Sequence, residues 1–288
     1  MDTAQLIDAA RSLLASGQRS QAAACLQAAL KLAPGNLVAH NLLEEHDLEG
    51  ALGRAFGIEG RIHPQDDIFR FFAGHPSSTN PVRDYLADGW RTLSELRDLH
   101  ERLDRKLGAT PRFLEFASGH GRFTRHLVKA LPAGSLCVSD ILPGSTEFLR
   151  ETFGIDGFPP VPSPNSSTRR ASTTPSSCSR CSATYPTACG SAGWHGCTRA
   201  PAPGGMLIIT THGEHCARLV GLDLPAEGYH FIASSESSLL DASLYGNTFT
   251  APSYVQAALR QLPAQPARVA HFPAHFWSSQ DAWVIQRA

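Results

Sequence analysis

Phe113-Leu114-Glu115-Phe116-Ala117-Ser118-Gly119-His120-Gly121-Arg122-Phe123-Thr124 is the stretch on which the reading of this chain turns. An apolar run enters a Gly-x-Gly loop and leaves it into a helical pattern. Glycines at such a turn tolerate positive φ and let the backbone come close to a ligand. A carboxylate, Glu115, stands on the strand before the turn. A second one, Asp140, ends the next apolar run, 136–139, where an acid is placed to accept hydrogen bonds from ribose hydroxyls. A dinucleotide dehydrogenase would carry a third glycine three residues after the second, and Thr124 occupies that position. An acid at 115 would also sit badly against a pyrophosphate. It suits a cationic, phosphate-free ligand.

Outward from this loop the chain alternates. Residues 91–107 carry a leucine stripe (Leu93, Leu96, Leu99, Leu103, Leu107) at helical spacing. Strands are expected at 112–116, 136–139, 206–211, 267–271 and 282–286, and helices at 123–131, 145–153 and 253–262. Strand–helix alternation implies an α/β architecture built on a parallel, doubly wound sheet.

Three further stretches carry a resemblance. Leu114-Glu115-Phe116-Ala117-Ser118-Gly119-His120-Gly121 resembles the first motif of the class I S-adenosylmethionine-dependent methyltransferases, and Ser139-Asp140-Ile141 resembles their acidic second motif. Pro203-Gly204-Gly205-Met206-Leu207-Ile208 resembles the turn before their fifth strand, and Gln280-Asp281-Ala282-Trp283-Val284-Ile285 their closing strand. The likeness covers 91–158 and 203–288. It implies a Rossmann-like methyltransferase sheet with S-adenosyl-L-methionine as cofactor. Glu115, Ala117, Gly119 and Gly121 would then hold the methionine part, Asp140 the ribose, and Ile141 would flank the adenine. His212, after the fifth strand, is a weak candidate for a proton acceptor, and a packed histidine is the plainer reading of it. Tyr85, Trp90 and Tyr245 are lid candidates or core aromatics. No metal is implied.

Residues 1–48 read as a small all-α hairpin. One stripe is Leu6, Ala9, Ala10, Leu13 and Leu14, broken at Gly17. A second is Ala22, Cys25, Leu26, Ala29 and Leu30, ended by Pro34-Gly35-Asn36. The register resembles one tetratricopeptide repeat with half of another at 37–48, whereas such repeats need about three copies to stand alone. The hairpin is therefore expected to bury its stripe on the body of the protein, with Ile68, Phe69, Phe71 and Phe72 of a connector or lid at 49–90 as the surface, or to take a protein partner. The domain proper is expected to span 91–288.

The 288 residues are 42% apolar and 18% charged, with a net charge of −1. That composition supports a packed core. It shows no basic excess of the kind a nucleic-acid binder carries. No apolar run approaches the ~20 residues of a membrane span, and the first residues lack a secretory profile. A cytoplasmic enzyme acting on a small molecule or glycan is the default expectation. A non-catalytic relative serving as an interaction module is the alternative.

Residues 159–203 break the pattern. They contain no Leu, Ile, Met, Phe, Asp, Glu or Lys, and hold four of the seven cysteines: Cys178, Cys181, Cys189 and Cys197. Nothing in this composition favours a core strand, so the stretch is expected to be disordered. Three readings compete: a zinc site on Cys178-x-x-Cys181, a Ser/Pro/Thr insertion, or translation out of frame. Codons shifted by one base permit Ser-His-Leu-Pro-Asp across 182–187 and Phe-Asp-Tyr across 171–174, and the abrupt change of composition agrees with the third. A chain missing two central strands would be impaired, since net stability is only ~5–15 kcal/mol.

Overall fold

The computed structural model describes residues 1–158, 177–182, 201–233, 246–262 and 265–288, with 177–182 described as backbone only. Three helices open the chain: α1 (Thr3–Ala15), α2 (Arg19–Leu32) and α3 (Leu37–Glu45). Asp2 and Gln5 form a reciprocal capping box at the start of α1, and the Asn36 side chain caps α3. Small residues let these helices approach closely. Ala10, Ala22, Ala23, Ala29 and Ala39 are buried among Leu6, Ile7, Leu26 and Leu43.

The stripe therefore closes on α3 and the turn behind it, not on the connector aromatics. Ile68, Phe69 and Phe72 join a separate cluster with Ile62, Val82, Tyr85 and Leu86, to which α3 lends Leu37. Phe71 is exposed. The seat of α3 on the connector is mainly polar. His40 Nε2 lies 2.8 Å from the Gly60 carbonyl, and the Asn41 amide exchanges two hydrogen bonds with the Ile62 backbone, at 2.8 and 3.0 Å. Burial lowers the His40 pKa to about 4, so this contact is made by a neutral ring.

The connector carries α4 (Leu52–Phe56) and α5 (Asp67–Gly74). Then α6 runs from Pro81 to Arg102, through the boundary expected at 90/91. Its start signal is Asn80-Pro81, a side-chain cap followed by proline at the first helical position. The leucine stripe alone hides that start.

The main sheet contains β1 (Phe113–Phe116), β2 (Leu136–Ser139), β3 (Gly157–Phe158), β4 (Ser177–Ser182), β5 (Met206–Thr211), β8 (Arg268–Phe276) and β9 (Gln280–Gln286). Their order is β3-β2-β1-β4-β5-β9-β8. The first five run parallel, β9 is antiparallel to β5, and β8 is antiparallel to β9. On one face, Met206, Ile208, Ala282 and Val284 pack against Leu93, Leu96 and Leu99 of α6 and Leu127 of α7 (Thr124–Ala130). On the other, Leu114, Leu207, Ile209, Trp283 and Ile285 pack against Val255 and Leu259 of α10 (Pro252–Arg260). α8 (Ser145–Phe153) covers β2 through Leu149, and α9 (Glu214–Leu219) follows β5.

Two elements depart from the sequence reading. The first is β4, which lies inside the stretch expected to supply no core strand. It pairs with β1 (Leu114 opposite Cys178) and with β5 (Ser177 opposite Met206 through Ser182 opposite Thr210). Ladder hydrogen bonds are made by the backbone, which every sequence supplies, and the slot between β1 and β5 offers two edges to pair. Residues 159–176 and 183–200, with Cys189 and Cys197, lie outside the described residues, as do the Cys178 and Cys181 side chains. The second is a hairpin of β6 (Tyr229–Ala233) and β7 (Gly246–Thr250), docked on the end of β5 by the Thr250 N–H donating to the His212 carbonyl at 2.8 Å. Among the described residues no helix is long and apolar enough to cross a membrane.

Candidate active site

The strand order reverses direction between β1 and β4, and in open α/β sheets ligands bind at such a switch point, outside the carboxyl ends of the strands. Three positive φ values wind the chain there: Ala117 at 58°, Gly119 at 55° and Gly121 at 89°. Ala117 holds a conformation that residues with a Cβ seldom adopt. It is fixed by its N–H donating to the Ser139 carbonyl at 2.8 Å.

The two glycines serve different ends. A Cβ on Gly121 would meet Leu149 Cδ2 at 2.6 Å and Phe153 at 3.0 Å, so this glycine admits α8. A Cβ on Gly119 would meet nothing within 4 Å, so this glycine opens on free space.

Asp140 closes the loop from the end of β2. Its Oδ2 accepts the Gly119 N–H at 2.6 Å and its Oδ1 the Leu142 N–H at 2.7 Å. It is 8% exposed. Burial raises its pKa above the ordinary carboxylate value, while the N–H groups of Leu142, Gly119 and Ile141 pull it back down. A carboxylate has about four lone-pair sites, so these bonds leave it capacity for a further donor. Ile141 stands at the rim, 36% exposed.

Glu115 is 2% exposed, and its Oε2 accepts the Thr124 hydroxyl at 2.7 Å. It is therefore a buried carboxyl group rather than one exposed on the loop's open side. Several buried polar atoms have no hydrogen-bond partner among the described residues: Ser118 Oγ and His120 Nε2 in the loop, Ser139 Oγ beside it, and Thr210 Oγ1 and His212 Nδ1 at the end of β5. Orphaned polar atoms of this kind are rare in native folds and mark places where a ligand or solvent completes the structure.

Two arginines that the sequence reading passed over brace the loop. Arg122 pairs with Asp88 of α6 and lies 5.8 Å over the Trp277 ring. Trp277 in turn donates its indole N–H to Asp88 Oδ1 at 2.8 Å. Arg125 is fully buried. It donates to the carbonyls of Gly121 (2.9 Å), Glu59 (2.9 Å) and Arg61 (3.0 Å), and its guanidinium lies 5.4 Å from the rings of both Tyr85 and Phe153. Buried arginines inside a helical stripe carry no periodic signal, which is why pattern reading misses them.

Tyr85 belongs to the core. It donates its hydroxyl to Asp66 Oδ2 at 2.6 Å, and burial drives its pKa up. Trp90 is 55% exposed. Tyr245 lies outside the described residues. His212 ends β5 with its ring 5.2 Å from Phe249. Its Nε2 lies 2.8 Å from the Gln280 side-chain nitrogen, so Nδ1 is the atom left for a ligand. Burial lowers its pKa, which keeps the ring neutral at neutral pH.

No family model matches the chain, and no curated protein matches it. Among solved structures, it is similar to a magnesium protoporphyrin IX methyltransferase from Synechocystis. The identity is 13%, covering 77% of this chain and 94% of that one, with a TM-score of 0.47. It is similar to a 1,6-didemethyltoxoflavin N1-methyltransferase from Burkholderia thailandensis at 12% identity, covering 80% and 95%, with a TM-score of 0.47. It is also similar to DesVI of Streptomyces venezuelae at 13% identity, covering 79% and 100%, with a TM-score of 0.46. At TM-scores below 0.5 these likenesses add nothing to what the residues themselves say.

Proposed function

We propose that this chain is an S-adenosyl-L-methionine-dependent methyltransferase acting on a small molecule or glycan. The observation that carries the reading is the pairing of Gly119 with Asp140: a glycine open on free space at positive φ, its N–H held by an acid at the end of β2. The Ser118 and Ser139 hydroxyls beside it, unpartnered among the described residues, fit a polar ligand. When bound, the cofactor supplies an electrophilic methyl group on a sulfonium. Asp140 holds ribose hydroxyls through its remaining lone pairs, Ile141 lies against the base, and the backbone of Ala117, Gly119 and Gly121 lines the methionine end. Glu115 supplies negative charge that favours a cation at the loop. His212 accepts from Gln280 at Nε2, so its neutral ring carries the proton on Nδ1, which can orient an acceptor by donating a hydrogen bond to it. The rest of the barrier is lowered by placing the two reactants in line. The near-zero net charge fits a neutral acceptor better than a polyanion.

Asp140→Ala is expected to weaken binding of the demethylated cofactor, S-adenosylhomocysteine, by about 1–3 kcal/mol, because ribose hydroxyls lose a charged acceptor. An unchanged affinity in a folded variant would make the acid purely structural. A thermal-shift series tests the cofactor class directly. S-adenosylhomocysteine at a hundredfold excess over Kd stabilises the folded state by about 2.7 kcal/mol. NADH is expected to give no shift, and a shift with NADH alone would favour a dehydrogenase.

We also read residues 1–48 as a tetratricopeptide-like unit and residues 159–203 as an out-of-frame stretch. The composition of β4, Ser-Cys-Ser-Arg-Cys-Ser at the centre of a parallel sheet, supports the second, since such strands are ordinarily runs of Val, Ile and Leu. Sequencing the gene across codons 155–206 tests it. The same composition favours one alternative, a non-catalytic relative that works through residues 1–48.

A further inference from the structure

Two imidazoles from distant parts of the chain lie face to face at the rim of the glycine loop. His63 comes from the connector between α4 and α5, and His120 stands between the two loop glycines. Their ring centroids are 4.2 Å apart and their planes differ by 1°. Phe148 of α8 closes the edge of both, at 5.0 and 6.2 Å. His120 is 2% exposed and its Nε2 has no hydrogen-bond partner among the described residues. His63 is half-buried, and its Nδ1 accepts the Gln65 N–H at 3.2 Å.

We propose that the His63–His120 stack is a pH-sensitive catch, which seats the connector on the glycine loop while both rings are neutral and releases it when they are protonated.

The chemistry follows from the contacts. Two neutral imidazoles stack favourably, and two imidazolium rings at this spacing repel. A proton on His120 Nε2 would create a buried N–H with no acceptor. A proton on His63 Nδ1 would set two N–H groups against each other at Gln65. The charged groups facing the pair are Asp66, Asp67 and Arg70, from the start of α5. Asp66 is already engaged by the Phe69 N–H and the Tyr85 hydroxyl, and Asp67 by Arg70 at 3.2 Å. Burial is the larger influence on both rings and lowers both pKa values below the ordinary 6.5; Asp66 acts against it, and Arg70 acts with it.

The sign is fixed by that direction. Seating is complete above the released-state value of 6.5 and is lost as pH falls from there toward the lowered values. One unit below 6.5, each ring that must shed its proton costs seating at most about tenfold. The grip of Arg125 on Glu59 and Arg61 does not titrate, so release is confined to the segment just after it.

Hydrogen exchange on the full chain tests the catch. Protection of the His63, Gln65 and Asp66 amides is corrected for intrinsic rate and referred to β9 in the same samples. It is expected to fall between pH 7.5 and pH 5.5, by at most about tenfold for each ring. His63→Phe keeps a ring on His120 without a second charge and is expected to lose less than half as much on a logarithmic scale. His63→Lys places a permanent charge there and is expected to show low protection already at pH 7.5. No fall in the unsubstituted chain, or a full fall in His63→Phe, would overturn the proposal. The bearing of the catch on catalysis rests on the methyl-transfer reading, and a separate arm tests that. S-adenosylhomocysteine at pH 7.5 is expected to slow exchange at Gly119 and Gly121. An unchanged loop in a chain whose connector still responds to pH would overturn the cofactor reading and leave the catch standing.

Discussion

Gly119→Ala is expected to keep most of its stability and to weaken cofactor binding, whereas Gly121→Ala is expected to lose much of its stability. Both glycines have positive φ, and an L side chain held there costs about 1–2 kcal/mol. They differ in what a methyl group would meet. At 119 it meets no protein atom, so the strain is the whole penalty to stability. That methyl projects into the space assigned to the ligand, and affinity for S-adenosylhomocysteine is expected to fall about ten- to hundredfold, the scale of a 1–3 kcal/mol steric misfit. At 121 the same methyl collides with Leu149 and Phe153 of α8, both packed into the cluster under β2. Overpacking adds about 1–3 kcal/mol to the strain, a large share of any domain's margin. Calorimetry and melting curves on the two variants separate the roles. Equal melting temperatures would remove the distinction between a ligand-facing and a packing glycine.

Arg125→Met is expected to be the most damaging substitution away from the loop itself. The guanidinium joins three backbone carbonyls that no sequence pattern links: Gly121 in the loop, and Glu59 and Arg61 in the connector. Methionine fills much of the volume between Tyr85 and Phe153 but donates nothing. Three carbonyls lose a donor in a buried site, at about 1–3 kcal/mol for each that finds no replacement. A total loss of about 3 kcal/mol or more follows, which for a chain of this size lowers the melting temperature by roughly 5 °C or more. Cofactor affinity is expected to drop as well, because the connector and the loop lose their common anchor. A variant melting within a degree or two of the parent would show that the carbonyls find other donors and that the clamp is dispensable.

These two cases mark how far the sequence could be read. The loop, its two glycines and Asp140 were legible because they are local: a strand, a turn and a helix within a dozen residues, then an acid at the next strand end. The sheet class followed from the alternation of short apolar runs with helical stripes. What stayed hidden was non-local. Nothing in the spacing of Arg125 announces that it reaches back to Glu59 and Arg61, and nothing links His63 to His120. Trp277 and Asp88 meet only because the β8–β9 bend folds back over α6, with Ala274, Trp277 and Ser278 all at positive φ. The β6–β7 hairpin was missed because Tyr229–Ala233 carries no clear alternation of buried and exposed residues. The N-terminal stripe was read correctly as apolar and given the wrong partner. Its alanines make a surface that α3 can close, and that preference for close helix packing outweighs any pull from the distant phenylalanines. β4 shows the opposite limit, where pairing edges on both sides place a strand that composition alone argues against.

Titration calorimetry of S-adenosylhomocysteine into the chain as it stands, with Gly119→Ala as the matched control, tests the central claim most directly. Saturable one-to-one binding in the micromolar range, about −8 kcal/mol, weakened in both Gly119→Ala and Asp140→Ala, is the expected result. A folded chain that gives no heat at millimolar ligand would contradict it, and so would one that binds equally well with a methyl group at position 119.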